Sequence, residues 1–121
     1  MRLEQVALHA DDLDRASDFY TTLLECDPVA RFDPPGLLFF DLDGVRLLLD
    51  ANAPASLLYL GVHNVHETLE RLDGIADVVA RPHVIFTHAD DTLGPAGHEE
   101  WQAFIRDTEG NTVGLIAFQP V

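Results

Sequence analysis

Six histidines, seven arginines and one cysteine are the side chains on which chemistry would rest in this 121-residue chain. His9 closes a short alternating run and could act as a general acid or base; it could equally be a histidine at a strand end. His83, just after Pro82, is the second acid–base candidate. Arg46 could grip a carboxylate or phosphate with both arms of its guanidinium, or it could be a strand-end arginine paired with Asp50 or another of the many acids. Tyr59 could offer its hydroxyl to a ligand, or pack as a ring with a wet tip. His88 and His98, with Asp90, Asp91, Glu99 and Glu100, supply donors suited to zinc or a harder ion; the alternative is a solvated acidic loop. His63 and His66 are separated by a helix start, which argues against a shared metal. Cys26 lies between Glu25 and Asp27, a setting unsuited to a reactive thiolate. No nucleophile elbow, phosphate loop, Cys-x-x-Cys pair or dinucleotide fingerprint occurs.

The charge balance narrows the partners. There are 21 acidic residues against 7 basic ones, all arginine, for a net charge of −14. Phosphates would be repelled, so nucleic acid is excluded as a partner. The simplest reading is a halophilic protein, adapted to salt that screens charge over roughly 3 Å at 1 M. An acidic protein from a GC-rich genome, where Arg displaces Lys, is the alternative. No apolar run approaches the length of a membrane span. Met1–Glu4 lacks the apolar core of a signal peptide, and one cysteine permits no internal disulfide. The expectation is a cytoplasmic protein of one domain, residues 1–121, with no membrane partner.

These side chains need elements to position them. Leu3–His9 reads as a strand with Val6 and Leu8 on one face and Gln5, Ala7 and His9 on the other. Asp11 or Asp12 caps a helix whose buried stripe is Leu13, Ala16, Tyr20, Leu23 and Leu24. Val29–Phe32 is a short strand. Leu37–Leu42 and Val45–Asp50 form a hairpin around Asp43-Gly44. The order then restarts. Leu57–Val62 is a strand, and Asn64 with Glu67 forms a capping box for a helix with Val65, Leu69, Leu72 and Ile75 buried. Val78–Phe86 is a strand interrupted at Arg81-Pro82. Residues 87–100 form a polar loop, and Trp101–Phe118 is a second hairpin closed at Gly110. Asp12 maps onto Asn64 and Leu13 onto Val65 at an offset of 52, whereas Gly44 and Gly110 differ by 66. The pattern is two βαβββ modules, 1–50 and 57–121, the second carrying an insertion at 87–100.

Val6-Ala7-Leu8-His9 with Asp12–Tyr20, and Arg106-Asp107-Thr108-Glu109-Gly110-Asn111, resemble the opening and closing motifs of the vicinal oxygen chelate superfamily. This group includes glyoxalases, bleomycin-resistance proteins and extradiol dioxygenases. Thr108 stands where the family usually has proline. Pro82-His83 and Glu100-Trp101 with Ala103-Phe104 resemble an uncharacterised glyoxalase-like subgroup. The resemblance implies an α+β fold in which two βαβββ modules form a cup-shaped eight-stranded mixed sheet with flanking helices. It also places up to four metal ligands, which here fall on Gln5, Leu48, Leu57 and Gly114. Leucine and glycine carry no donor, so no metal is expected at the usual family positions.

With those four positions facing inward, strand alternation adds neighbours on the same faces. That adds His9, Arg46 and Tyr59. By its distance from the closing turn, Phe104 resembles an aromatic that lines the site in resistance enzymes of the family, and Gln102 shares its face. The implied ligand-binding set is therefore Gln5, His9, Arg46, Leu48, Leu57, Tyr59, Gln102, Phe104 and Gly114, with Gly114 and Ala7 leaving room. The expected function is a metal-independent protein binding a small, partly aromatic or anionic molecule in the cup, without a cofactor. One alternative is a lyase, isomerase or dioxygenase-type enzyme with a displaced divalent metal, or with His9 and His83 as its catalytic acid–base pair. Another is a dimeric scaffold without a ligand. Short edge strands and the resemblance together imply a homodimer, and Trp101 is expected against a helix or a partner subunit.

Overall fold

The computed structural model describes all 121 residues. Its elements are β1 (Gln5–His9), α1 (Leu13–Leu24), β2 (Ala30–Phe32), β3 (Leu37–Leu42), β4 (Val45–Asp50), β5 (Leu57–Gly61), α2 (Val65–Arg71), β6 (Asp77–Thr87), β7 (His98–Arg106) and β8 (Thr112–Pro120). This is an α+β chain of two βαβββ modules. Each module makes its own four-stranded mixed sheet, in the orders β1-β4-β3-β2 and β5-β8-β7-β6. The chain divides into two compact units. The first is Met1–Ser56 together with Asp107–Asn111, and the second is Leu57–Arg106 with Thr112–Val121.

In the first unit, Asp12 is the N-cap of α1, its carboxylate accepting from the Arg15 N–H. Glu25 ends the helix in the left-handed region at φ 57°. The buried stripe is Leu13, Ala16, Phe19, Tyr20 and Leu23. Leu24 is only half-buried and Phe19 takes its place. The stripe belongs to a core with Leu8, Leu38, Phe40, Leu47 and Leu49, all nearly inaccessible. The β3–β4 turn is Asp43-Gly44, both at positive φ (51° and 91°), as a two-residue hairpin loop matched to strand twist requires. The strand expected to begin at Leu3 begins at Gln5, and Leu3 is exposed.

In the second unit, the Asn64 side chain caps α2 by accepting from the His66 and Glu67 N–H groups. The helix buries Val65 and Thr68 and ends at Arg71, with Leu72 buried just beyond. Ile75, expected in the buried stripe, lies past the helix end and is exposed. The core is completed by Ala103, Ile105, Val113, Leu115 and Ala117. β6 runs unbroken through Arg81-Pro82, with three register shifts against β7. A proline is tolerated there because β6 is an edge strand. β7 starts at His98, so the connection expected at 87–100 spans only 88–97.

Candidate functional site

In each unit the helix covers one face of the sheet, and strand alternation puts the candidate residues on the other. In the first unit, β1 pairs with β4 in parallel, setting Gln5 beside Arg46, Ala7 beside Leu48 and His9 beside Asp50. Across the β3–β4 ladder, Phe39 faces Leu48 and Asp41 faces Arg46. The helix-free face therefore carries Gln5, His9, Arg46 and Leu48. Arg46 is exposed and its guanidinium sits 5.8 Å from the centre of the Phe39 ring. It is not paired with Asp50, whose carboxylate accepts from the Asn52 N–H.

His9 is fully engaged. Its Nδ1 donates to the Ala53 carbonyl and its Nε2 to Asp11, each at 2.8 Å. Both contacts require the proton, so the Ala53 carbonyl first and Asp11 second raise its pKa above the ordinary histidine value. The backbone of His9 is held as well. Its N–H donates to Asn111 Oδ1, and its carbonyl accepts from Asn111 Nδ2 at 2.6 Å. His9 is thus a clamp at the end of β1, with neither ring nitrogen open for proton transfer.

In the second unit, the face away from α2 carries four cross-strand rows. Phe86, Glu100 and Phe118 form the first; His83, Gln102 and Ile116 the second; Ala80, Phe104, Gly114 and Tyr59 the third; Asp77, Arg106, Thr112 and Leu57 the fourth. The sequence-derived set Leu57, Tyr59, Gln102, Phe104 and Gly114 is therefore brought onto one face. Gly114 does not leave open room. A Cβ placed there would lie 2.6 Å from the Tyr59 ring and 3.1 Å from that of Phe104. These two rings meet edge to face, with centroids 5.7 Å apart.

Beside them runs a polar chain of His88 and Glu100, expected only as loop donors, and Gln102, expected on the ligand-binding face. His88 is buried, and its Nε2 lies 2.9 Å from Glu100 Oε1. Gln102 Nε2 donates to the other oxygen, Oε2, at 2.7 Å. The His88 ring contacts Phe86 and Phe118 edge-on. The spacing Glu100, Gln102, Phe104 on one strand was the signal that Glu100 shares this face. His83, in the Gln102 row, donates from Nδ1 to the Arg81 carbonyl at 2.8 Å. In the neutral ring that leaves the Nε2 lone pair available.

Trp101 packs against a helix residue, His66, with ring centroids 5.1 Å apart. His98 contacts the Ala96 carbonyl, Asp90 accepts from the Thr92 N–H, and Asp91 accepts from the Ala96 N–H. These loop side chains are spent on local turns. Nowhere do three His, Cys, Asp or Glu side chains gather as a metal-binding group. At Gln5, Leu48, Leu57 and Gly114, one side chain out of four has a donor, and the space at Gly114 is filled by a ring. Those residues do not fit a metal.

Residues 2–115 match the family described as the Glyoxalase/Bleomycin resistance protein/Dioxygenase superfamily. Among solved structures, lactoylglutathione lyase from Agrobacterium tumefaciens is 25% identical with a TM-score of 0.70, over 96% of this chain and 92% of that one. TioX from Micromonospora sp. ML1 is 19% identical, TM-score 0.70, over 98% and 100%. A glyoxalase/bleomycin resistance protein/dioxygenase from Alicyclobacillus acidocaldarius is 20% identical, TM-score 0.67, over 97% and 91%. Among curated proteins, none matches.

Proposed function

Starting from a chain that belongs to the glyoxalase/bleomycin resistance protein/dioxygenase superfamily, we propose that it binds a small organic molecule on its helix-free sheet faces, without a metal at the usual family positions. The observation that carries this reading is the third row of the second unit. There the Tyr59 ring occupies the space beside Gly114 that a ligating side chain would need. In place of a metal, the face offers the Tyr59–Phe104 aromatic pair. Gln102 gives the ligand an amide oxygen, its nitrogen being held by Glu100. Apolar walls with a few orienting polar groups describe a small-molecule site. On the first unit's face, Arg46 has no carboxylate partner and stands ready for an anionic group.

The test is a thermal-shift and calorimetric screen of aromatic and anionic small molecules against protein dialysed with a chelator. For an aromatic ligand found this way, Tyr59→Ala should weaken binding about tenfold, the size of one lost aromatic contact. For an anionic one, Arg46→Ala should do the same. Affinity unchanged in both variants contradicts the reading.

A second reading, acid–base catalysis, is favoured by one observation. His83 has its tautomer fixed by the Arg81 carbonyl, leaving Nε2 to take a proton beside Gln102. The similarity to lactoylglutathione lyase from Agrobacterium tumefaciens lends it support. Turnover by the chelated protein that disappears in His83→Gln would favour this reading over simple binding.

A further inference from the structure

Gln102 stands in the middle of the second unit's helix-free face, and the way its amide is held decides what it can bind. Its Nε2 donates to Glu100 Oε2 at 2.7 Å. The other carboxylate oxygen lies 2.9 Å from His88 Nε2. An ionised carboxylate only accepts, so that histidine nitrogen carries its proton. Glu100 thus has a donor on each oxygen. Turning the Gln102 amide over would set its oxygen against the carboxylate and lose the bond. The support behind Glu100 is itself fixed. His88 is buried, its N–H donates to the His98 carbonyl, and its carbonyl accepts from the Gly97 N–H. The loop above it fits without slack. A Cβ at Gly94 would lie 2.8 Å from the His88 ring and 2.7 Å from Phe118.

The consequence falls on Gln102 Oε1. The bond that Gln102 makes through its side chain uses the nitrogen, and no buried side-chain oxygen lacks a partner, so Oε1 is open at the surface. Opposite it on β6 is His83, exposed, with Nδ1 donating to the Arg81 carbonyl. Its neutral ring presents Nε2 as a second acceptor. Residues directly opposite on neighbouring strands hold their Cβ atoms about 5 Å apart. Two acceptors at that spacing match the two hydrogens of one NH2 group. The next row, about 7 Å along β7, is the Tyr59–Phe104 aromatic pair. One aromatic ring over that pair reaches both acceptors through a single substituent. The Glu100 charge behind Gln102 strengthens its oxygen as an acceptor and disfavours an anion in this place.

We propose that the second unit's face takes a planar aromatic molecule bearing an NH2 group, as a primary carboxamide or an amine. Gln102 and His83 accept its two hydrogens, and Glu100 and His88 are positioning residues that set this preference by fixing the Gln102 amide. The proposal rests on the reading of this face as a small-molecule site and names the ligand class.

The experiment is an NMR binding titration of chelated protein in molar KCl, at mildly alkaline pH so that free imidazole is neutral. The probes are benzamide, acetophenone, which carries a methyl group in place of NH2, and benzoate. Benzamide should bind about tenfold more tightly than acetophenone, the size of the lost hydrogen bonding, and benzoate no better than acetophenone. Glu100→Gln supplies an amide that can itself donate to Gln102 and so lets it turn over. His83→Ala removes the second acceptor at an exposed position. Both should shrink the preference for benzamide over acetophenone severalfold. Variants that weaken the two probes equally, with the preference intact, overturn the roles of Glu100 and His83. Acetophenone or benzoate binding as tightly as benzamide, and less tightly in Tyr59→Ala, overturns the ligand class alone. Failure of all three probes to bind, or binding indifferent to Tyr59→Ala, overturns the small-molecule site and the proposal with it.

Discussion

At Gly114 the absent side chain is the informative one. The Tyr59 ring stands where a Cβ would be, with Phe104 close behind. Adding a single methyl group is therefore expected to force the ring aside. Gly114→Ala should cost about 1–3 kcal/mol, the usual penalty for overpacking, and lower the melting temperature by several degrees. An unchanged melting temperature would mean that Tyr59 is free to move and does not define this face. His9 makes the complementary point. Its residue type invites acid–base chemistry, but the Ala53 carbonyl and Asp11 take both ring nitrogens. His83 keeps one nitrogen free. Sequence position alone could not separate the two histidines, because each stands in a strand beside polar neighbours.

At the scale of elements, the closing turn holds the first unit together. Asp107 Oδ1 accepts from the Glu109 and Asn111 N–H groups. Its Oδ2 accepts from the buried Tyr20 hydroxyl at 2.6 Å, which, with burial, holds the Tyr20 proton firmly in place. Glu109 bonds the Asp12 N–H, the Thr108 hydroxyl and both arms of Arg15. Burial opposes the Glu109 charge, but these contacts outweigh it and lower its pKa from 4.5 to about 2. A carboxylate with a depressed pKa stabilises the fold above its unfolded value and loses that contribution as pH falls through the folded one. Stability should therefore drop as pH falls from 4.5 toward about 2. Glu109→Gln should be less stable at neutral pH and should flatten that part of the profile. An unaltered acid limb in a urea titration series would show that the network is not coupled to folding.

Much of this was legible beforehand. Asp-Gly at 43–44, the caps at Asp12 and Asn64, and strand alternation placed the elements and their faces. The buried network was not legible, because Tyr20, Asp107 and Asn111 lie far apart in sequence and the turn looked merely local. Ile75 was misread because helical spacing continues past Arg71, where the helix stops. Arg81-Pro82 suggested a strand break, and only the edge position of β6 makes proline acceptable there.

For the whole molecule, a net charge of −14 on 121 residues sets a self-repulsion that salt relieves. Several pairs that do form are exposed, such as Arg2–Glu4 and Arg31–Asp33, and offset it little. The melting temperature is expected to rise steeply between low and molar KCl. A flat response would leave the acidity as a matter of composition.

Binding without a metal is the claim that ties these scales together, and metal content tests it most directly. Untagged protein would be purified in molar KCl, dialysed and assayed by elemental analysis. The expected result is far less than one transition-metal ion per chain. One tightly held ion per chain would contradict the account and move the chemistry to donors such as His83, His88 and Glu100.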